Sequence, residues 1–523
     1  MSKFLKKLKD YRVLFVIILA VSVFIRVWQL GVIPGNGAVN QDEAYAGYEA
    51  YSLLHWGYDA DGYRNPVYFT AWGSGMNAME TYCMIPFIAV FGLKSFAIRL
   101  PMAVLSIITV IAFALLLKDS FGEKESLIGM AFLSVAPWHI MMSRWALESN
   151  FLPGFCLLAL FFLHKSITKR KYFIFSMLFY GLSLYTYSSP WIIMPFLIGF
   201  SVLYLLLTKQ ITFDRYLFIG LGVLVIVALP LLLFVMVNMG LINEIRTPII
   251  SIPKLIFFRS NDVVLSWDSI RHNIKTLLLF LIKQNDGLPW NSIPQVGVLY
   301  LVSYPFVMIG LVVCFVNTIK HFKNAALDTL INIQFLMALV LGVLVEINAN
   351  RINIIMIPLV YYCCRGISEV LKFLSGKKIC KVGYIIPAAY IASFIYFCVI
   401  YFGIYNTIIA SYWNDGLDDA LSYAGSAKAD EIHVMDTYYP NVLFYTEYPA
   451  DRFLDTVKWI DPDSPFREVI SFEKYDLTDF TESDPASNNV YICRSDNEYA
   501  LSYMNDNNMD ITFFDNYALG YNP

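Results

Sequence analysis

The sequence predicts a mainly α-helical integral membrane protein: a polytopic bundle of about eleven transmembrane helices with further surface helices, followed by a small C-terminal α/β domain. Of its 523 residues, 58% are hydrophobic and only 15% are charged, and the mean hydropathy is +0.56. Many apolar stretches approach the roughly 20 residues that cross the hydrocarbon layer, and they lack the alternation of strands. This composition excludes a soluble protein of the same length.

The candidate spans are the longest apolar stretches of the chain. They cover residues 12–30, 97–117, 126–142, 150–164, 172–187, 191–208, 216–238, 295–318, 326–346, 354–373 and 383–405. The first follows a basic head and precedes no small-x-small cleavage site, so we expect an uncleaved span with a cytoplasmic N-terminus. The Lys/Arg-rich segments 164–171, 320–323 and 372–381 then also face the cytoplasm, as the positive-inside rule requires.

Successive spans cross the membrane in alternating directions, and this alternation places four irregular segments on the outer side of the plasma membrane. They are residues 31–96, 143–150, 239–294 and 346–353. The apolar stretch 79–93 is too short to span the membrane. Counting it as a span would place the Lys/Arg-rich segment 164–171 on the outer side, against the positive-inside rule. We therefore expect it to form a helix that lies at the outer surface.

The C-terminal residues are predicted to form an acidic, soluble, extracytoplasmic domain. Residues 412–523 contain 22 of the 41 acidic residues but only 6 of the 38 basic ones, so they are separated from a transmembrane domain of residues 1–411. DDALSYA and SDNEYALSYMND suggest helices, whereas EIHVMD and NNVYICRS suggest strands. We interpret the acidic residues as a solvated surface.

Cysteine and histidine spacing indicates neither a disulfide framework nor a zinc site. The eight cysteines include no CxxC pair, and the six histidines include no HExxH motif. No metal ligands are therefore assigned, no cofactor is required, and no nucleic-acid partner is expected.

The most informative stretch is QDEAYAGYEAYSLLHWG (41–57), which follows the first span. Asn40 and Glu43 have the spacing of a capping box, so Glu43 has a structural role available at the start of a helix. Asp42 does not share that explanation. Its alternative role is a first-turn acid that the helix dipole favours.

Two further segments follow, GYDADGYRNPVYFTAWG (57–73) and FGLKSFAIRLPMAVLSI (91–107). Together with the Asp-Glu pair they resemble the first outer loop of the GT-C glycosyltransferases, in particular the family 39 protein mannosyltransferases and the related aminoarabinose transferases. The resemblance extends over roughly residues 12–370. It implies a sugar donor on a polyprenyl phosphate, expected to be undecaprenyl phosphate, and an extracytoplasmic protein or glycan acceptor. It also implies that Asp42 is the catalytic base, which takes the acceptor's proton in an inverting displacement.

The resemblance implies a second acidic residue, Glu148, because SRWALESN (143–150) matches the next outer loop of the family. Family members often have Asp here, so its role is open: it positions the acceptor or orients a neighbouring Arg. Arg144 is a candidate substrate-binding residue. A plain helical ion pair between Arg144 and Glu148 is the alternative.

The lipid phosphate gains negative charge as it leaves, so cations are expected to bind it, preferably Arg with its bidentate geometry. NANRINIIMIPLVYY (348–362) resembles a family segment in which an Arg precedes a Pro-containing helix, which makes Arg351 the first candidate ligand. Arg271 and Lys275, on the amphipathic stretch WDSIRHNIKTLLLFLIK, are further candidates. Contact with lipid headgroups is an equally good explanation for those two.

Within the first outer segment, Asp59, Asp61 and Arg64 join Glu43 as candidate substrate-binding residues, and loop-folding ion pairs explain them as well. Asp59 and Asp61 form a D-x-D pattern, but it lies outside, where nucleotide sugars are scarce. No divalent metal is therefore expected. Arg99 is predicted to anchor the chain at the membrane interface.

Two other functional classes stay open. A polytopic transporter or lipid flippase would place ionisable residues near the midplane, whereas here they cluster mainly outside the candidate spans, although Arg26 lies well inside a span. A catalytically inactive scaffold that displays the C-terminal domain is the other class. The presence of both Asp42 and Arg351 argues against it.

Overall fold

The computed structural model describes residues 10–258, 266–375, 380–427, 429–482, 485 and 488–522. The basic head at residues 1–9 and the centre of the basic segment 372–381, at residues 376–379, lie outside the described residues. The predicted cytoplasmic location of these two basic segments stays a prediction.

Helices dominate the described residues. The α-helices are Tyr11–Val27 (α1), Gln41–Trp56 (α2), Met79–Phe91 (α3), Ser95–Phe121 (α4), Glu123–Val135 (α5), Pro137–Met142 (α6), Glu148–Lys165 (α7), Tyr172–Ser183 (α8), Met194–Leu207 (α9), Arg215–Asn238 (α10), Trp267–Lys283 (α11), Tyr304–Lys320 (α12), Ala326–Leu344 (α13), Met356–Ser375 (α14), Ile385–Tyr401 (α15), Ile404–Tyr412 (α16), Leu417–Ser426 (α17), Tyr439–Thr446 (α18), Ala450–Thr456 (α19) and Glu498–Asp506 (α20).

The strands among the described residues form three sheets. They are Tyr68–Phe69 (β1), Met76–Asn77 (β2), Ile245–Arg246 (β3), Ser251–Ile252 (β4), Ile432–Val434 (β5), Lys458–Trp459 (β6), Val469–Phe472 (β7), Tyr475–Asp476 (β8), Asn489–Arg494 (β9), Asp510–Phe514 (β10) and Tyr517–Asn522 (β11). β1 pairs with β2 and β3 with β4, whereas the C-terminal strands form a seven-stranded sheet in the order β10-β11-β9-β5-β8-β7-β6. Within this sheet, β5 lies parallel to its neighbours, β8 and β9, and the other described strand pairs are antiparallel.

Each predicted span contains a helix, and the chain is a multi-pass membrane protein. Among the described residues, six helical segments are long and apolar enough to cross a membrane. They are Ser95–Phe121, Arg215–Asn238, Leu301–Lys320, Ala326–Leu344, Asn353–Ser375 and Val382–Tyr401. The remaining predicted spans correspond to α1 and to α5 through α9. The stretch 79–93 contains the predicted helix, α3.

Two predicted spans are wrong in detail. Helix 126–142 is broken at Ala136 between α5 and α6, because the residue before a proline is driven out of the helical region, and Ala136 has a ψ of 126° before Pro137. The span predicted from 295 begins as a helix only at Tyr304. Gly297 and Tyr300 have positive φ values of 77° and 64°, which interrupt a right-handed helix.

The described residues divide into two compact units. The first unit comprises those within 1–28, 102–231 and 260–401, and the second comprises those within 29–101, 232–259 and 402–523. In the first unit, α12 and α14 pack backbone to backbone, since a Cβ at Gly310 would overlap Tyr362 and one at Gly366 would overlap Phe306. The proposed boundary between 411 and 412 stays a prediction.

The second unit contains the C-terminal sheet and the first outer segment. The predicted C-terminal helices and strands are confirmed as α17, α20, β5 and β9. The side chains of β9 and β11 pack against α20, with Tyr491, Cys493, Met504 and Ala518 buried between them. This α/β arrangement confirms the fold class predicted for the C-terminal residues.

Candidate active site

Helix α2 begins with the predicted capping box. The Asn40 side chain accepts a hydrogen bond from the Asp42 N–H at 3.0 Å, and the Glu43 carboxylate accepts one from the Asn40 N–H at 3.1 Å. Both bonds satisfy donors that a helix start otherwise leaves without partners. The local sequence thus fixes where α2 begins and which way its first acidic residues point.

Glu43 is committed to a buried ion pair with Arg99. The Arg99 Nε and a terminal nitrogen donate to the two Glu43 oxygens at 2.8 and 2.9 Å, and both side chains are 0% exposed. Arg99 also donates to the carbonyl oxygens of Pro34 and Ala38, at 3.1 and 2.7 Å. The prediction that Arg99 anchors the chain at the membrane interface is therefore wrong. Its guanidinium instead ties the start of α2 to the segment before it.

Asp42 differs from its neighbour in exposure. It is only partly buried, whereas Glu43 beside it is enclosed. Asp42 also begins a row along α2 with Tyr45, Glu49 and Ser52, because residues three and four apart share a helix face. Of the Asp-Glu pair, Asp42 is the acid whose side chain reaches the surface.

The rest of this row holds the loop of residues 58–73. Glu49 accepts a hydrogen bond from the Ala60 N–H at 2.8 Å, and Ser52 donates to the Tyr58 carbonyl at 2.6 Å. Tyr45 accepts a bond from the Ala71 N–H at 3.1 Å. The loop therefore rests on the helix face that begins with Asp42.

Asp59 stabilises the conformation of this loop from its buried interior. Its carboxylate accepts the N–H groups of Asp61 and Tyr63 at 3.0 and 2.7 Å, and the side chain is fully buried. Burial raises the pKa of Asp59 well above its ordinary value, and the charge of Asp61 adds to the effect. Burial likewise raises the pKa of Glu49, with Asp59 as the second cause. This agrees with the loop-folding alternative for Asp59, whose contact with substrate stays a prediction.

Asp61 is paired with a residue that the sequence did not single out. The Arg467 guanidinium donates to Asp61 at 2.8 Å, and Thr70 donates to the other oxygen of the carboxylate. Arg64, in the same loop, is exposed. Sequence spacing carries no signal for the Arg467 pair, since its two members are separated by 406 positions.

In the first unit, Arg144 lies in the turn between α6 and α7, and Glu148 begins α7. The Arg144 guanidinium is buried and donates to the carbonyl oxygens of Ile25 and Trp28 at 2.6 and 2.8 Å, at the end of α1. The pair is thus not an i, i+4 pair within one helix. Glu148 is partly buried at a helix N-terminus, where the dipole favours a carboxylate.

Arg351 lies in the turn between α13 and α14. Its N–H donates to the Asn348 side chain at 2.8 Å, and its guanidinium donates to the Glu346 carbonyl at 3.1 Å. No ion pair joins it to another residue that the structure describes. A partly exposed guanidinium that has no carboxylate partner is available to bind an anion such as a phosphate.

Arg271 and Lys275 are exposed on one side of α11, and Asn273, Leu277 and Phe280 are buried on another. The predicted amphipathic helix is therefore confirmed. The placement of Arg271 and Lys275 is compatible both with binding the donor phosphate and with contacting lipid headgroups.

The first unit contains a narrow cleft, and some of the residues that line it are neighbours of Glu148 and Arg351 in the sequence. It is lined by three tryptophans and three asparagines, Trp138, Trp145, Trp290, Asn150, Asn291 and Asn350. Sequence reasoning missed this cleft, as well as Tyr45, Glu49 and Arg467. In the part of the chain that the structure describes, no three His, Cys, Asp or Glu side chains are arranged to hold a metal ion.

Residues 78–234 match the family described as Dolichyl-phosphate-mannose-protein mannosyltransferase. The structure resembles ArnT from Cupriavidus metallidurans bound to undecaprenyl phosphate, with a TM-score of 0.58 and 12% identity over 98% of this chain and 97% of that chain.

The structure also resembles the apo oligosaccharyltransferase of Archaeoglobus fulgidus, with a TM-score of 0.51 and 13% identity. That match covers 84% of this chain and 64% of the archaeal chain. A comparison with curated proteins found no match. At such low identities the structural likeness establishes the fold and not the activity.

Proposed function

We propose that this chain is a glycosyltransferase that transfers a sugar from a polyprenyl phosphate to a hydroxyl group outside the membrane; the fold it shares with ArnT and the mannosyltransferase family match over residues 78–234 support this. Undecaprenyl phosphate is the expected carrier, and the likeness to ArnT bound to that lipid supports this choice. The acceptor is a protein hydroxyl, a cell-wall polymer or a lipid-linked glycan. Each presents the same nucleophile, a hydroxyl oxygen.

The proposal rests chiefly on the different surroundings of the two acids in the Asp-Glu pair. Glu43 is enclosed and holds Arg99, whereas Asp42 is partly exposed on the same helical turn. In the reaction, the Asp42 carboxylate takes the proton from the acceptor hydroxyl, whose oxygen then bonds to the anomeric carbon. The bond from that carbon to the phosphate oxygen breaks, and the lipid phosphate leaves with the electron pair. One base suffices, because a phosphate leaves without being protonated.

Arg351 is proposed to bind the leaving phosphate. Replacing it with alanine is expected to weaken use of the lipid donor more than replacing it with lysine, since lysine keeps the charge but loses the bidentate fork. The measurement is KM for the donor and turnover, for both variants and wild type. Equal values in all three proteins would remove Arg351 from the phosphate site.

The C-terminal residues are proposed to lie outside the cell, with the N-terminus in the cytoplasm. Ser426 is exposed at the end of α17, so a cysteine there is accessible without disturbing the core. We expect a membrane-impermeant maleimide to label Ser426→Cys in intact cells. Labelling that occurs only after the cells are lysed would contradict the orientation.

A deletion strain tests the function as a whole. Mass analysis of its surface glycans and glycoproteins is expected to show the loss of one sugar modification, which wild-type enzyme restores and Asp42→Asn enzyme does not. A strain whose surface sugars are unchanged would contradict the proposal. A transporter of lipid-linked sugar would instead be restored by both proteins.

A further inference from the structure

Two carboxyl groups, here called the buried acid pair, lie next to each other beneath the loop of residues 58–73 in the second unit. Glu49 belongs to α2 and Asp59 to the loop, and both side chains are 0% exposed. The Glu49 carboxyl accepts a hydrogen bond from the N–H of Ala60, the residue that follows Asp59, at 2.8 Å. The two acids are therefore close neighbours in the interior of this unit.

Each acid of the pair has one oxygen that makes no hydrogen bond to any described residue. The Ala60 N–H contacts Oε2 of Glu49, and the N–H groups of Asp61 and Tyr63 both contact Oδ1 of Asp59. The remaining oxygens, Glu49 Oε1 and Asp59 Oδ2, are buried and unsatisfied. A buried anionic oxygen without a donor is unfavourable, whereas a protonated carboxyl group can itself donate to a neighbouring oxygen.

The two arginines that face the buried acid pair are each engaged with another acid. Arg246, on β3, lies 3.0 Å from Glu244, and Arg467 lies 2.8 Å from Asp61. Among the described residues, no salt bridge includes either member of the pair. The described part of the chain therefore provides no cation that neutralises these two acids.

The other titratable groups that face the buried acid pair supply no positive charge either. They are Asp61 and the hydroxyl groups of Tyr45, Tyr48, Tyr82 and Tyr439. Burial is the main cause that raises the pKa of both acids, and the charges of neighbouring carboxyl groups add to it. Backbone N–H groups, Tyr45 and Arg246 act in the opposite direction, but burial outweighs them.

A proton fits this pair better than a metal ion does. A divalent ion such as Ca²⁺ takes about six to eight oxygen ligands. In the part of the chain that the structure describes, no third His, Cys, Asp or Glu side chain completes a metal site with these two acids. Two adjacent carboxyl groups can instead avoid a double negative charge by keeping a proton between them.

We propose that Glu49 and Asp59 retain at least one proton in the folded protein, and that this proton keeps the loop of residues 58–73 on the face of α2 that begins with Asp42. When both acids are ionised, they repel each other across the contact between α2 and the loop. The neighbouring hydrogen bonds to Ala60 and Tyr58, at 2.8 and 2.6 Å, are then strained or lost. The effect on sugar transfer rests on the proposed function, and in it both acids are positioning residues.

The direction of the pH dependence follows from the raised pKa values. Below the ordinary carboxyl range, both acids are protonated in the folded and in the unfolded protein, and the pair contributes its full stability. As the pH rises, the unfolded chain ionises first, and this contribution is lost progressively up to the raised pKa values of the folded state. Beyond them, the protonated fraction falls by about tenfold for each pH unit.

The direct test is infrared spectroscopy of wild type, Glu49→Gln, Asp59→Asn and the double variant, in a detergent without ester groups. We expect wild type at neutral pH to show the C=O absorption of a protonated carboxylic acid that is missing from the double variant. This measurement requires no sugar transfer.

The pH profile tests the link to the loop and to transfer. On the alkaline side, transfer by wild type should fall by up to about tenfold per pH unit, together with the protection of the Ala60 amide against hydrogen exchange. The double variant, whose amides cannot ionise, should lack this fall. A role in folding alone would not make the fall depend on groups that titrate.

Asp510→Asn is the matched control, because Asp510 is an exposed acid of β10 in the same unit. It should keep both the infrared absorption and the alkaline fall of wild type. If the double variant does not fold, the two single variants carry the test. Each should weaken the alkaline fall, since an amide removes one of the two charges that repel each other.

Equal infrared absorption in wild type and the folded double variant, or the same alkaline fall in both, would overturn the proposal. A chelator that lowers the unfolding temperature of wild type but not of the double variant would overturn it in favour of a bound metal ion. A failure of the proposed function looks different. In that case wild type transfers no sugar at any pH, whereas the infrared result is unaffected.

Discussion

Replacing Asp42 with asparagine is expected to lower sugar transfer by at least about 10², the lower end for a lost general base. Asparagine has nearly the same shape, but its amide cannot take the acceptor's proton. The backbone of residue 42 still donates to Asn40, so the helix start is preserved. Folding and donor binding should therefore match wild type. The assay is transfer from a synthetic polyprenyl phosphate donor, with thermal unfolding as the folding measurement.

An Asp42→Asn protein that folds normally and transfers sugar at the wild-type rate would place the base elsewhere. Glu148, at the start of α7, would then be the next candidate, and Glu148→Gln would be assayed in the same way.

Removing Arg99 is expected to cost about 3–5 kcal/mol of folding stability, because it leaves the buried Glu43 carboxylate without its partner. Arg99→Ala should therefore yield little folded protein, or protein with a much lower unfolding temperature in detergent. Glu43→Gln should also destabilise, since it leaves the Arg99 charge buried, although its amide can still cap α2. The folded fraction of Glu43→Gln should retain turnover, which separates Glu43 from Asp42.

The matched control is an exposed pair. Lys118 and Glu123 are 3.1 Å apart with side chains 36% and 59% exposed, so Glu123→Gln should change stability by at most about 1 kcal/mol. Equal thermal shifts for Arg99→Ala and Glu123→Gln would show that the buried pair is not a major support of the fold.

Features set by local sequence were predictable. Apolar runs located the helices, and the Asn40–Glu43 spacing located the start of α2, because both depend on residues a few positions apart. The C-terminal helices and strands were predictable for the same reason. The break at Ala136 was also visible in principle, since Pro137 is incompatible with a continuous helix there.

Features set by distant partners were not predictable. Arg99 resembles an interfacial anchor in sequence, yet it pairs with Glu43 at a separation of 56 positions. Arg467 lies in a segment interpreted as a solvated acidic domain, and its partner Asp61 is 406 positions away. Sequence patterns consist of periodicity and spacing. Both are the same whether or not a charged residue pairs with a residue far away in the chain. The predicted roles of Arg351, Arg271 and Lys275 depend on a bound phosphate and stay predictions.

The most direct test of the central claim is mass spectrometry of the carrier lipid after incubation with the purified protein. The protein is placed in nanodiscs with undecaprenyl phosphate sugars, mannose, glucose, galactose and arabinose in turn, and with the envelope fraction of a deletion strain. We expect wild-type protein to convert one donor to free undecaprenyl phosphate, and Asp42→Asn protein to do so at least about 10²-fold more slowly. A donor recovered intact with every sugar, or discharged equally fast by both proteins, would contradict it.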